Sequence, residues 1–171
     1  MKILYIDTST NYLYAGIVIN HELLSEVKKN FTHDLSKYAL YEISKMLEKC
    51  NLQPNDIDKI IVVNGPGSFT GIRIGVGTVI AFQDCLNIPC VGISSLEALA
   101  YNVNVDGIIC SLIDAKNNNV YFGLFEHKNN EYTQIGNLEF KSINDAINLL
   151  QQQSSPITFV GDGAIANKDF I

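Results

Sequence analysis

The chain has 171 residues, 47% of them hydrophobic, and a formal net charge of −6, which fits one medium domain or two small ones and excludes intrinsic disorder. Only 18% of residues are Asp, Glu, Lys or Arg, against about a quarter in an ordinary globular domain, so most elements are expected to be buried on at least one side. With Arg73 as its one arginine and a pI near 4.9, the chain lacks the clustered cations that grip a phosphate backbone; any nucleic acid is expected to be held by a partner.

The longest weakly charged stretch, 72–86, is interrupted by Arg73 and Asp84 and carries Gly75 and Gly77, so no membrane anchor is expected. The N-terminus, MKILYIDTST, reaches an aspartate at residue 7 and lacks a signal-peptide core; a cytoplasmic protein is expected. Cys50, Cys85, Cys90 and Cys110 form no C-x-x-C pair, and His21, His33 and His127 are far apart. Zinc-ligand spacing is therefore absent, and four reduced cysteines in or near the core are expected.

In chain order, apolar runs at 2–7, 13–19 and 22–30 predict a β-meander with turns at 8–12 and at Asn20-His21. From His33 to Cys50 the period changes: Leu35, Ala39, Ile43, Met46, Leu47 and Cys50 recur at three- and four-residue steps, an amphipathic helix with Thr32 as N-cap and a stop at Pro54 to Asp56. IIVV at 60–63 reads as a strand covered on both faces. The loop NGPGSFTG follows, then a helix at 72–86, a strand at 89–93 and a short helix capped by Ser94 or Ser95.

The remainder repeats this plan. Asp7, Tyr14 and Gly16 match Asp114, Tyr121 and Gly123 at an offset of 107 residues, and ITFVGDG at 157–163 mirrors IIVVNGPG at 60–67. A third strand (131–140) and a helix (142–152) stand between them, so a duplicated βββαβα unit is predicted. The expected subdomains are 1–103 and 104–171. The second copy stops where a counterpart of helix 72–86 should begin, and so reads as incomplete.

In each half an aspartate ends the first strand before a polar hairpin: Asp7-Thr8 and Asp114-Ala115-Lys116. Such paired units suggest the actin-like ATPase plan, in which two hairpins hold the phosphates and metal of ATP. The alternative is that each Asp caps its own turn through Asx-type hydrogen bonds. The stretch GPGSFTGIRIG at 65–75 fails both G-x-x-x-x-G-K-[ST] and G-x-G-x-x-G, because Thr70 stands where each pattern requires glycine. Its glycine turn can hold an anion at the helix start or serve close packing.

A helical projection of 71–86 puts Ile72, Val76, Val79, Ile80 and Leu86 on one side and Gly71, Gly75, Gly77, Thr78, Ala81 and Cys85 on the other. The expectation is that the large side covers the sheet and the small side admits another backbone, with helix 33–50 as its neighbour. That first helix carries Tyr38 and Tyr41 on its polar side, which suits a protein interface; the alternative is solvated tyrosines beside a purely intramolecular glycine contact.

IDTST at the start, GPGSFTGIRIG at 65–75, ISSLEALA at 93–100 and IDAK-x3-VY at 113–121 together resemble the TsaB (YeaZ) family over Met1 to about Gly163. The resemblance implies an actin-like (ASKHA, ribonuclease H-like) α/β fold of two related subdomains and a subunit without chemistry of its own. Such a subunit binds a TsaD-like catalytic paralogue, which transfers a threonylcarbamoyl group onto the adenosine next to the tRNA anticodon, and a TsaE-like ATPase joins them. It implies a partner or homodimer surface on the two N-terminal helices, here Tyr38, Tyr41, Lys45, Gly71, Arg73, Gly75 and Thr78. Arg73 then either forks onto a partner carboxylate or caps a loop carbonyl internally. The family's H-x-x-x-H metal pair is broken, since Lys37 stands four residues after His33, so no metal site is expected. No cofactor is firmly implied; ATP and Mg²⁺ are expected only at a heteromeric interface. Members usually run on for some tens of residues after the GDG turn, and Lys116 stands where an arginine is usual. The alternative reading is a small ATP-dependent phosphotransferase or ATPase using Asp7, Thr8, Asp114 and Lys116.

Overall fold

The computed structural model describes residues 1–31, 34–151 and 155–171. Contacts divide the chain into two compact units, Met1–Ile93 and Ser94–Ile171. The subdomain boundary expected after Val103 lies ten residues further on.

The first unit holds a five-stranded sheet of β1 (Lys2–Asp7), β2 (Tyr12–Ile19), β3 (Glu22–Asn30), β4 (Lys59–Val63) and β5 (Cys90–Ile93), in the order β3-β2-β1-β4-β5. β1 pairs antiparallel with β2 and parallel with β4. A parallel neighbour needs a crossover, supplied between β3 and β4 by helix α1 (Leu35–Lys49) and between β4 and β5 by α2 (Phe69–Leu86). Alternation in β1 sends Leu4 and Ile6 into the core, where they meet Leu13, Ala15 and Ile17 of β2 and Ala39, Ile43, Met46 and Leu47 of α1. The β2–β3 hairpin closes at Asn20-His21, both with positive φ, the backbone of a type I′ turn that matches strand twist.

Two boundaries differ from expectation. Asp34 holds the N-cap position of α1 without a side-chain bond, and Thr32, the expected cap, lies outside the described residues, as does His33. α2 begins at Phe69, three residues before the expected Ile72, because Ser68 caps it: its Oγ accepts from the Gly71 N–H at 3.3 Å. The last three residues of the expected loop, Phe69 to Gly71, are therefore helix.

The second unit repeats the plan: β6 (Gly107–Asp114), β7 (Asn119–Lys128), β8 (Glu131–Ser142), α4 (Ile143–Leu150), β9 (Ile157–Val160) and α5 (Asp162–Ala166), with sheet order β8-β7-β6-β9. The end expected at Gln152 for α4 lies outside the described residues. The β7–β8 turn again uses two left-handed residues, Asn129 and Asn130. Four successive residues of β6, Ile109 to Leu112, are buried because this sheet is covered on both faces. Cys110 and Leu112 pack with Ile143, Ala146 and Leu150 of α4. Ile109 packs with Phe125 and with Leu96 and Ala100 of α3 (Ser95–Ala100), which Ser94 caps. The match at offset 107 holds in topology but not in register: Asp7 faces Tyr14, whereas Asp114 faces Val120 and Tyr121 faces Ile113. The second hairpin is thus one residue shorter.

All four cysteines are free, as expected, but not all are in or near the core. Cys110 is buried, and burial pushes its thiol up to about 12, whereas Cys85 is exposed on α2.

Candidate functional site

The glycines of α2 bear out the helical projection in part. Gly71 and Gly75 are buried with Val79 and Phe82, so the bare side of the helix faces inward. A Cβ built on Gly71 would lie 1.9 Å from the carbonyl oxygen of Thr8, and one on Gly75 would lie 2.3 Å from Thr8 Oγ1. The β1–β2 turn therefore presses directly on the helix backbone. Thr8 Oγ1 donates to the Gly71 carbonyl at 2.7 Å, and the Ser68 N–H donates to the Ser9 carbonyl at 2.7 Å. The small side thus admits another backbone, as the projection expected, but that backbone is the β1–β2 turn rather than α1, and Ile80 of the large side faces outward. Gly77, by contrast, faces open space.

This docking turns the other side of α2 outward. Phe69, Arg73, Gly77 and Ile80, at three- and four-residue steps, form its exposed stripe. Phe69 is 74% and Ile80 50% exposed, and on α1 Leu40 is 53% and Tyr41 58% exposed. The Arg73 guanidinium lies 5.3 Å from the Phe69 ring centroid, and Lys45 Nζ 5.8 Å from that of Tyr41, so each cation covers an aromatic face. Tyr38 is half-buried and stacks on Phe31 at 5.8 Å, while half-buried Thr78 spends its hydroxyl on the Ile74 carbonyl at 2.8 Å. Of the predicted surface, Tyr41, Lys45 and Arg73 are exposed, Tyr38 and Thr78 partly so, and Gly71 and Gly75 not at all. Sequence reasoning missed Leu40, Phe69 and Ile80. The signal for Phe69 was the N-cap serine before it; Ile80 had been placed on the sheet side. Where α1 and α2 meet, Phe31, Leu35, Ser68, Thr70 and Ile74 line a pocket of about 110 Å³.

The two aspartates are each engaged within their own turn. Asp7 Oδ1 accepts from the Ser9 N–H at 2.8 Å, and Tyr5 OH donates to Oδ2 at 3.4 Å. Burial, then the Asp7 charge, raises the Tyr5 phenol above its ordinary value. Thr8, grouped with Asp7 as a nucleotide-facing residue, is fully buried under α2. In the second unit Asp114 Oδ1 accepts from the Lys116 N–H at 2.9 Å, and Oδ2 pairs with Lys116 Nζ at 2.5 Å. Hydrogen bonds from Lys116 hold the Asp114 carboxyl below the usual carboxylate range. The Asp114 N–H donates to Asp162 Oδ1 at 3.1 Å, tying the hairpin to the first residue of α5. Both aspartates thus make the Asx-type bond. Among the described residues no group of three or more His, Cys, Asp or Glu side chains is arranged to hold a metal, and no helix is long and apolar enough to cross a membrane.

Two α/β units of β-β-β-α-β-α order, each with a mixed sheet and each with a short hairpin opening on an Asx-bonded aspartate, define an actin-like, ribonuclease H-like protein with a duplicated unit. YeaZ from Pseudomonas aeruginosa has the same fold, with a TM-score of 0.74 over 82% of this chain and 66% of that one at 24% identity. A family model described as TsaD, tRNA N6-adenosine threonylcarbamoyltransferase, matches residues 26–169. The tRNA threonylcarbamoyladenosine biosynthesis protein TsaB of Bacillus subtilis is 33% identical over 172 residues, covering 100% of this chain and 75% of that protein. The Haemophilus influenzae protein of the same description is 31% identical over 127 residues, 71% of this chain and 52% of that protein. The chain belongs to the TsaB (YeaZ) family. It spans between about half and three quarters of the length of these relatives.

Proposed function

We propose that this protein is a non-catalytic, cytoplasmic subunit of the machinery that forms threonylcarbamoyladenosine on tRNA, and that it binds a TsaD-type transferase through the outward faces of α1 and α2. The observation that carries this reading is the set of large apolar side chains left exposed on two adjacent helices, Leu40, Tyr41, Phe69 and Ile80. Two of the aromatic rings are covered by the cations Lys45 and Arg73. Exposed apolar surface of this kind is retained where it is covered by a partner, and aromatic residues beside arginine are the usual anchors of such contacts. The family supports the choice of partner, since the relatives are described as tRNA threonylcarbamoyladenosine biosynthesis proteins and the matching family model is that of the transferase. The same surface serves a homodimer when the transferase is absent. Nucleotide and a TsaE-type ATPase belong to the assembly rather than to this chain, because Asp7, Thr8, Asp114 and Lys116 are each engaged locally.

The test is calorimetric titration of the cognate TsaD-type protein with the wild type and with Tyr41→Ala and Phe69→Ala. Binding weakened by each variant supports the reading, and affinity unchanged in both contradicts it.

A further inference from the structure

A second surface of the first unit shares only Lys45 with that reading. β3 is an edge strand, paired with β2 on one side only. Beside it Ser25 to Lys29, with Glu42, Lys45, Met46 and Lys49 of α1, line a recess of about 270 Å³. Four of the chain's twelve Lys and Arg residues line it, Lys28, Lys29, Lys45 and Lys49, with Lys28 on the face of β3 opposite Lys29. Lys29 is neutralised by buried Glu42 at 2.6 Å. Lys28 lies 5.5 Å from the Tyr14 ring centroid and Lys45 lies over Tyr41, so both keep charge to offer, and Lys49 is exposed in the last turn of α1. Against these stands Glu26. The recess is a cationic spot on an acidic protein whose second unit carries nine acidic residues against four lysines.

Lysine on an edge strand by itself guards against sheet-to-sheet aggregation. That role needs no helix, yet half of these lysines come from α1 and face the same recess. We infer that the β3 edge and this lysine-lined recess take up an extended acidic peptide segment of another protein, which adds to the first sheet as a sixth strand. The main chain of β3 supplies ladder hydrogen bonds, and carboxylates on alternate residues, which share one face of the added strand, meet Lys45 and Lys49 of α1. RNA would use the lysines alone and leave the strand edge unpaired.

The probe is a fluorescein-labelled (Thr-Glu)5 peptide, read by anisotropy at low salt and by amide shifts in nitrogen-15 spectra. The comparators are (Pro-Glu)5, which has the same charge but cannot donate to a ladder, and a ten-residue oligouridylate. The expected result is saturable binding of (Thr-Glu)5 with shifts centred on Ser25 to Lys29, and binding about tenfold weaker for (Pro-Glu)5. The variant Lys49→Glu, which leaves Tyr41, Lys45 and Arg73 intact, should also bind about tenfold more weakly with an unchanged melting temperature. Equal binding of the proline peptide, tighter binding of oligouridylate, or no saturation up to about 1 mM would each overturn the inference.

Discussion

At the scale of single residues, the most demanding positions are Gly71 and Gly75. Thr8 fills the space a Cβ would need at both, so adding even one methyl must move the β1–β2 turn or the helix. Gly71→Ala and Gly75→Ala are each expected to destabilise the chain by about 1–3 kcal/mol, as checked by urea denaturation, whereas Gly77→Ala, which meets open space, should be neutral or slightly stabilising. A second residue-scale expectation concerns Asp114. Its folded-state value is depressed by Lys116, so the stabilisation it gives is fully present above the ordinary carboxylate value. It is lost as pH falls through the lower folded value. An NMR titration should therefore place the Asp114 midpoint below that of a free aspartate, and Lys116→Ala should move it back up. Lys116 is raised by the same pair, so its share is present below the ordinary lysine value and lost as pH rises through the folded one. The local engagement of Asp7 and Asp114 was legible in the sequence as one of two readings, because an aspartate two residues before a free N–H closes its own turn. The burial of Thr8 was not, since nothing in Asp-Thr-Ser-Thr says which hydroxyl points toward a helix sixty residues away.

At the scale of elements, alternation and helical period gave nearly every strand and helix, including α1 from its apolar repeat and the β2–β3 turn at Asn20-His21. What pattern could not supply was the rotation of α2 about its axis. Its residues are apolar almost all round, so amphipathicity has no preferred direction, and the deciding contact is between Thr8 and two glycines with no side chain to register. The stripe left outward is Phe69, Arg73, Gly77 and Ile80. The start of the helix was misplaced because Phe69-Thr70-Gly71 reads as loop composition, whereas Ser68 caps the helix in front of it. Ser68→Ala should cost about 1 kcal/mol in thermal or chemical denaturation and should loosen the turn that positions Phe69 and Arg73. Leu40, Tyr41 and Phe69 are exposed, so truncating them should leave the melting temperature nearly unchanged. That separation of binding from folding makes them better tests of the surface than any glycine on α2, where lost binding would only report a damaged fold.

At the scale of the whole molecule, the duplication was readable from the order of elements on both sides of a conserved spacing within the chain, and the two sheets β3-β2-β1-β4-β5 and β8-β7-β6-β9 carry it. The one-residue difference in hairpin register was not readable, because a repeat of Asp, Tyr and Gly fixes spacing along the chain and not pairing across strands. Nor was the placement of α3 with the second unit, since its apolar residues suit either core and only Ile109 and Phe125 show which one they enter. The central claim is that this actin-like subunit acts through the outward faces of α1 and α2. Calorimetric titration of the cognate TsaD-type protein into the double variant Tyr41→Ala/Phe69→Ala, beside the wild type, addresses it directly. The account predicts a defined stoichiometric complex for the wild type and a loss of about 2 kcal/mol or more in the variant, with both chains melting alike. Wild-type affinity in a folded double variant would contradict it.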